Sequence, residues 1–255
     1  MLRNDQIQHY REQGYVLVRA MFTPEEASAY RAECHALAER LGKKANMDAT
    51  WGSARTAVAE AADTTILHCH NVQFYSAAFS RLIVDERFTS AAASCIGSEN
   101  VQLHHTKMFI KPPEKGSPFP MHQDAPYFPH ERHTMMAAII HFDDAPLERG
   151  CLRVVPGSHK LGMLDHSSEG GWHLPLDDYP IEAATPLPAR AGDVLLFNYL
   201  TIHGSGVNTS SEARTTLLVQ MRDPTDKPLV KTHESRGQGM MLRGIDPEAE
   251  LRGVE

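Results

Sequence analysis

The chain of 255 residues has a net charge of −7 and 42% hydrophobic residues, which suits one large globular domain with a sizeable core. It has no basic run or stripe, which argues against a nucleic-acid or anionic-membrane partner. No apolar stretch is long enough for a membrane span, and the first residues are too polar for a secretory signal. Its four widely spaced cysteines favour reduced thiols in a cytoplasmic protein over disulfides or structural zinc.

The N-terminal part, about residues 1–65, is predicted to consist of helices interrupted by a strand. A first helix ends near Gly14, and a strand follows at 15–19. Residues 23–26 (Thr-Pro-Glu-Glu) are a strong helix start, because they combine an N-cap hydroxyl, a proline and a glutamate three residues after the cap. This helix is expected to stop at Gly42. These elements are expected to brace a sheet.

From about residue 66 to 225 the sequence changes to short strands and turns. A helix is predicted at 79–96, and strands at 66–75, 101–110, 134–142, 151–155, 193–203 and 213–221. A series of short strands after N-terminal helices predicts a mainly β fold. The expected fold is a double-stranded β-helix (jelly roll/cupin-like) with bracing N-terminal α-helices. Residues 226–255 form the C-terminal tail of the same single domain. The irregular stretch 160–190 is either a lid or a cover for the core.

His122, Asp124 and His203 are the candidate metal ligands. In an extended strand, residues two apart point the same way, so His122 and Asp124 can converge on one ion. Two imidazoles and one carboxylate bind Fe(II) on one face and leave the opposite face open.

The strands at 193–203 and 213–221 are predicted to form a hairpin about a polar turn. Folded in this way, His203 and Arg214 come within about 5–8 Å as cross-strand neighbours. Ser205 lies two residues beyond His203 and shares its face. The guanidinium of Arg214 suits a two-pronged contact with a carboxylate.

The chain resembles the phytanoyl-CoA dioxygenase family of Fe(II)- and 2-oxoglutarate-dependent oxygenases. The resemblance runs from about His104 to Gln220, and more loosely into the N-terminal helices. The matching stretches are His-Thr-Lys-Met-Phe-Ile-Lys-Pro-Pro at 105–113, Met-His-Gln-Asp at 121–124 with Tyr-Phe-Pro at 127–129, Gly-Cys-Leu-Arg-Val-Val-Pro-Gly-Ser-His-Lys at 150–160, Ala-Gly-Asp at 191–193 and Ile-His-Gly-Ser at 202–205.

The resemblance implies an oxygenase that uses Fe(II), 2-oxoglutarate and O2 and releases succinate and CO2. It implies that His122, Asp124 and His203 are the catalytic iron ligands, and that Arg214 and Ser205 hold the distal carboxylate of 2-oxoglutarate. Halogenating relatives replace the carboxylate by a small residue. The presence of Asp124 therefore favours hydroxylation, or another result of hydrogen abstraction such as desaturation, epimerisation or ring closure.

Two positions depart from the family pattern. Lys107 stands where the family has a residue beside 2-oxoglutarate, which is apolar in the animal enzymes. Ile140 stands where those enzymes have a tryptophan beside the co-substrate. Both departures affect the shape of the pocket and leave the iron chemistry intact.

The sequence does not identify the substrate. An anionic small molecule suits Lys107 and Arg222, and an acyl-CoA 2-hydroxylase of the phytanoyl-CoA type is the alternative. Each candidate contact is also explained by structural packing or solvation. The candidates are Asn71, Gln73, Lys107, Tyr127, Ile140, Trp172 and Arg222. The remaining histidines are interpreted as ordinary residues, because neighbours such as His104 and His105 cannot both face one ion from a strand.

Other protein classes stay open. A metal-independent binding or scaffold protein on the same barrel does not need all three ligands and the arginine together. A zinc hydrolase or a cupin isomerase has no need of an arginine behind the metal. The chain is expected to act as a monomer or small homo-oligomer.

Overall fold

The computed structural model describes residues 2–42, 66–167, 173–231 and 234–249. The α-helices in these ranges are α1 (Asn4–Gln13), α2 (Pro24–Gly42), α3 (Ala77–Ile83) and α4 (Glu86–Ile96). The strands are β1 (Tyr15–Val18), β2 (Leu67–His70), β3 (Val101–Lys111), β4 (Phe119–His122), β5 (Met136–His141), β6 (Leu152–Val154), β7 (Thr185–Leu187), β8 (Val194–Asn198), β9 (His203–Ser205), β10 (Arg214–Arg222) and β11 (Met241–Arg243). Within the same ranges, no helix has the length and apolar content to cross a membrane.

α1 ends and α2 begins where the sequence predicts. Gly14 closes α1 at φ 82°, a left-handed conformation that glycine adopts without strain. At the start of α2, the Thr23 hydroxyl accepts from the Glu26 N–H at 3.2 Å, and the Glu26 carboxylate accepts from the Thr23 N–H at 2.8 Å. This reciprocal pair satisfies two of the N–H groups that a helix start leaves open.

The helix predicted at 79–96 is divided in two. α3 ends at Ile83, and the Asp85 carboxylate then accepts from the Arg87 N–H at 2.9 Å. An aspartate side chain that bonds the N–H two residues later caps a new helix, so α4 starts at Glu86.

The strands form two antiparallel sheets that face each other. The large sheet has the order β1-β8-β5-β10-β3-β11, with β2 also paired to β3, and the small sheet has the order β4-β9-β6-β7. The helices pack on the outer face of the large sheet, where Phe79 and Phe88 contact a core that includes Leu103 and Val219. The predicted double-stranded β-helix with bracing helices is confirmed.

The predicted hairpin between His203 and Arg214 is wrong. β8 ends at Asn198 in the large sheet, whereas β9 begins at His203 in the small sheet. Between them, Asn198 accepts from the Leu200 N–H through its side chain at 2.9 Å and from the Thr201 N–H through its carbonyl at 2.8 Å. These local bonds replace the strand ladder. His203 and Arg214 therefore approach from opposite sheets.

Candidate active site and metal centre

His122 and His203 are register partners on the short strands β4 and β9. The Nδ1 of His122 donates to the Pro120 carbonyl at 2.8 Å, and the Nδ1 of His203 donates to the Thr201 carbonyl at 2.9 Å. A carbonyl oxygen only accepts, so in each neutral ring the proton is on Nδ1 and the lone pair is on Nε2. Both rings present Nε2 as a potential metal ligand, in an orientation that the backbone fixes.

Asp124 lies beyond the end of β4, at φ −76° and ψ −27°, so it does not have the extended conformation expected from the sequence. Its N–H donates to the Tyr199 carbonyl at 2.9 Å. Its Oδ1 lies 3.6 Å from Nε2 of His122 and 3.7 Å from Nε2 of His203. The three candidate ligand atoms lie within 4.8 Å of one another, which one metal ion can bridge.

The protonation states of these groups suit a metal. Burial and the neighbouring His122 lower the pKa of His203 to about 4, so its ring is neutral at pH 7. Burial raises the pKa of Asp124, but His203, His122 and Gln220 outweigh it and leave that pKa below its ordinary value. Two imidazoles and one carboxylate within reach of one ion are the ligand set of non-haem Fe(II) oxygenases.

Gln123 fixes the loop that carries these ligands. Its side-chain amide N–H groups donate to the carbonyls of Gly162 at 2.8 Å and Leu200 at 2.7 Å, and its Oε1 accepts from the Leu164 N–H at 2.8 Å. The Gln123 N–H donates to Nε2 of His166 at 2.9 Å. This buried glutamine therefore ties the start of the irregular 160–190 stretch to the ligand loop.

Two buried basic side chains lie side by side at one end of the inter-sheet space. Arg214 begins β10 and is the register partner of Lys111, the last residue of β3. The Lys111 ammonium donates to the Ser205 hydroxyl at 2.8 Å and to the Gly206 carbonyl at 2.7 Å, and Arg214 donates to the Gly150 carbonyl. Burial lowers the pKa of Arg214 to about 10; burial and then Arg214 hold the pKa of Lys111 well below its ordinary value.

A cavity of about 210 Å³ lies between the sheets. It brings the three candidate metal ligands together with Arg214 and Ser205, as the sequence analysis expects. Large apolar side chains make up most of the remaining wall, and a few polar groups interrupt it. The remaining lining residues are His70, His105, Lys107, Phe109, Phe119, Tyr127, Phe128, Ile139, Leu152, Phe197, Gly204, Thr216, Leu218 and Gln220.

The candidate substrate contacts separate into two groups. Lys107 and Tyr127 line the cavity. Ile140 instead packs in the outer core beneath the helices, and the preceding residue, Ile139, occupies the cavity wall. Successive residues of a strand point to opposite faces, so Ile139 faces the cavity and Ile140 does not.

Among the described residues, the candidates Asn71, Gln73 and Arg222 do not line this cavity. Asn71 adopts a left-handed conformation at φ 58° before a 3₁₀ turn, and Gln73 accepts from the Thr106 hydroxyl at 2.5 Å. Arg222 donates to the carbonyls of the loop that follows it, at residues 223, 224 and 226. The Arg222 side chain therefore holds the backbone of that loop. Trp172 lies outside the described residues.

Sequence reasoning missed several polar residues of the site. Gln220 donates to Oδ2 of Asp124 at 2.7 Å, and His70 and His105 line the cavity. Lys111, the last residue of β3, lies one residue beyond the strand predicted at 101–110. His105 and Lys111 each lie an even number of residues from Lys107 along β3. Residues at even spacing on a strand share a face, so their spacing from Lys107 could have identified them as residues of the site.

Comparison with known proteins agrees with this geometry. Residues 10–216 match the sequence profile of the family described as Phytanoyl-CoA dioxygenase (PhyH). A protein of Stutzerimonas stutzeri described as a "probable alpha-ketoglutarate-dependent hypophosphite dioxygenase" is 28% identical over 228 residues, which cover 84% of this chain and 77% of that protein. The peroxisomal phytanoyl-CoA dioxygenase of Bos taurus is 26% identical over 238 residues, which cover 88% and 69% of the two chains.

A solved structure of the epimerase SnoN, in complex with Fe3+, alpha-ketoglutarate and nogalamycin RO, is also similar. It aligns with a TM-score of 0.71 at 25% sequence identity and covers 95% of this chain and 96% of its own. The similarity therefore extends through the helices and both sheets.

Proposed function

Because the chain belongs to the phytanoyl-CoA dioxygenase family, we propose that His122, Asp124 and His203 hold Fe(II), and that Arg214 and Ser205 hold the distal carboxylate of 2-oxoglutarate. The enzyme class follows from the family: the protein is a non-haem iron dioxygenase that uses Fe(II), 2-oxoglutarate and O2 on a small-molecule substrate. The proposal concerns the residues that do this and the kind of substrate they accept.

One observation carries these roles: the candidate ligands and the buried guanidinium of Arg214 line the same cavity, and Lys111 lies beside Arg214 as its register partner. Removing a cation from water costs free energy unless an anion compensates it. No carboxylate of the described residues contributes to the pKa shifts of Arg214 and Lys111. A bound carboxylate therefore supplies the compensation, and an arginine fork grips it through two parallel hydrogen bonds.

When bound, Fe(II) and 2-oxoglutarate supply an oxidative decarboxylation that yields succinate and CO2 and oxidises the substrate. The chain's own residues orient these reactants and exclude water. The Nε2 atoms of His122 and His203, with the Asp124 carboxylate, would hold the ion, and the rest of the cavity would be left for the co-substrate and O2. The aromatic rings of Phe109, Phe119 and Phe197 surround this space and keep bulk water from the reacting groups.

The proposed substrate is small and anionic. The cavity of about 210 Å³ is below the roughly 300–1,000 Å³ of sites for drug-sized ligands, and 2-oxoglutarate shares it. Lys107 gives the wall a buried positive charge. The relative named for hypophosphite acts on an ion of this class. An acyl-CoA substrate, as in the relative from Bos taurus, is the second candidate.

The same proposal places the enzyme in the cytoplasm, as a monomer or small homo-oligomer made of one oxygenase domain over residues 1–255. All four cysteines are free thiols in the structure, as a reducing compartment favours.

The test adds Fe(II) and then 2-oxoglutarate to metal-free protein under argon. We expect the weak visible charge-transfer band of the chelate, and its loss in His203→Ala. Succinate release is then screened with small oxyanions and with acyl-CoA thioesters. A tightly bound iron without the band contradicts the proposed co-substrate site, and release with acyl-CoA alone contradicts the small anionic substrate.

A further inference from the structure

β3 has a bulge at His104, next to the cavity. Its register with β10 steps from His105 opposite Gln220 to Leu103 opposite Met221, so one extra residue is inserted in β3. A bulge changes the direction of a side chain locally. Here the Nδ1 atoms of His104 and His105 lie 2.8 Å apart, within hydrogen-bond distance.

This contact holds His105 in the cavity wall. A hydrogen bond between two Nδ1 atoms needs one donor and one acceptor, so it fixes the orientation of both rings. The His104 ring also packs against Phe128, with a centroid distance of 4.6 Å. His105 therefore faces the cavity as a rigid polar group.

His105 lies at the level of the candidate metal ligands. Its register partner, Gln220, donates to Asp124. Arg214 is instead paired with Lys111, six residues farther along β3, which is roughly 20 Å of extended strand. A ligand group at His105 is thus distant from the end that holds the distal carboxylate of 2-oxoglutarate.

Two more basic side chains lie beside His105. Lys107 is on the same face of β3, and His70 is its register partner on β2. The ring centroids of His70 and His105 are 6.1 Å apart. Lys107 is only 5% exposed, and burial lowers its pKa to about 8, so it is still mainly a cation at pH 7. A bound anion offsets the cost of this burial.

We propose that Lys107, His105 and His70 form a subsite for an oxyanion carried by the substrate, either a carboxylate or a phosphorus oxyanion. The inference rests on the proposed function, because it places the substrate on the metal side of 2-oxoglutarate. It narrows the substrate class: the bond that is oxidised lies close to a compact anionic group. The apolar wall around the subsite, at Phe109 and Phe128, then contacts the uncharged part.

The test titrates anions into the anaerobic complex of the enzyme with Fe(II) and 2-oxoglutarate at pH 7. The probes are propionate, methylphosphonate and neutral propionamide, and the readout is the position of the visible band. We expect a shift with an anion and none with propionamide. Lys107→Met lowers the affinity for that anion roughly 10- to 100-fold, as for the loss of a hydrogen bond to a charged group.

Matched variants assign the effect to the subsite. His105→Phe also weakens anion binding. His68→Phe changes a buried histidine on the same strand as His70, outside the cavity lining, and keeps wild-type affinity. Unchanged affinity for 2-oxoglutarate is expected in all three variants. If Lys107→Met weakens 2-oxoglutarate binding instead, Lys107 belongs to the co-substrate site and the proposal is overturned.

Two other results also overturn the subsite: equal shifts with propionamide, or no response to either anion. Absence of the visible band in the wild type is a failure of the proposed function and is recognised separately. The metal-free protein then tests the subsite alone, because a ligand that binds the folded state raises Tm. The anion must raise the Tm of the wild type and not that of Lys107→Met; no rise in the wild type refutes the subsite.

Discussion

The two sheets build the site in different ways. The small sheet contributes His122 and His203 from strands of only four and three residues, and local bonds to backbone carbonyls fix each ring. The large sheet contributes its charged groups from the long strands β3 and β10, of eleven and nine residues. In these strands, the position of a charged side chain along the strand determines which part of the cavity it reaches. The proposed metal ligands are thus positioned by local contacts, whereas the proposed contacts to 2-oxoglutarate and substrate depend on strand register.

The largest expected effect comes from the small sheet. His122→Ala or His203→Ala removes one of three proposed ligands, so we expect no chelate band and a loss of turnover beyond the 10- to 100-fold typical of outer-sphere changes. The measurements are Fe(II) titration and succinate release. The control is His35→Ala, which removes a half-buried histidine of α2 that bonds to the Thr215 hydroxyl outside the cavity. Retained iron affinity in both ligand variants contradicts the proposed centre.

In the large sheet, Arg214→Ala should weaken the binding of 2-oxoglutarate without weakening the binding of Fe(II). Leaving a buried carboxylate without its partner costs about 2–5 kcal/mol, which is about 30- to several-thousand-fold in affinity for 2-oxoglutarate. Iron binding should persist, because Arg214 is not a proposed ligand. Titration of Fe(II) and then 2-oxoglutarate into the protein under anaerobic conditions measures both affinities. Arg222→Ala, at the opposite end of β10, serves as the control, and an equal loss there would point to damage to the strand.

The contrast between the sheets also explains what the sequence could predict. Imidazole, carboxylate and guanidinium have specific chemistry, so His122, Asp124, His203 and Arg214 could be selected as candidates before their positions were known. Family, fold class and cofactors were predictable for the same reason and are confirmed. The sequence did not predict which sheet each residue belongs to. β8 ends at Asn198, whose side chain bonds to the following turn, and the chain then crosses from the large sheet to the small one.

Register was the other part that the sequence did not determine. Residues 135–140 read Met-Met-Ala-Ala-Ile-Ile and are buried on both faces of β5. A strand buried on both faces shows no alternation, so nothing separates Ile139 from Ile140 in the sequence. The bulge at His104 likewise depends on pairing with β10, a strand more than a hundred residues downstream. Lys111 precedes Pro112, which cannot continue a paired strand, and it lies just outside the strand predicted at 101–110.

The stability of Lys107→Met tests how much the buried charge of Lys107 destabilises the fold. Burial lowers the pKa of Lys107 from 10.5 to about 8. Because each pKa unit corresponds to 1.36 kcal/mol, the buried cation destabilises the folded state by about 3 kcal/mol. Between these two pKa values the unfolded state binds more protons than the folded state, so wild-type stability rises with pH. Below pH 8, Lys107→Met should therefore have the larger free energy of unfolding.

This advantage should shrink as the pH rises from 8 towards 10.5, because the wild-type lysine then becomes neutral in both states. Urea unfolding of the metal-free proteins across this range measures it. The exposed Lys160 provides a control, since Lys160→Met leaves both stability and its pH dependence unchanged. A variant less stable than the wild type at pH 7 contradicts the assumed burial cost.

Gln220 joins the two sheets and gives the smallest expected effect. It projects from β10 of the large sheet and donates to Oδ2 of Asp124 at 2.7 Å, while Oδ1 faces the two histidines. We expect Gln220→Leu to let the carboxylate rotate and to weaken Fe(II) binding by about 10- to 100-fold, as for other hydrogen-bond partners of metal ligands. Gln102→Leu removes another buried glutamine, which bonds to Asp246 at 3.4 Å, and should retain iron affinity. If both variants bind iron like the wild type, the small sheet alone positions Asp124 and the large sheet has no part in metal binding.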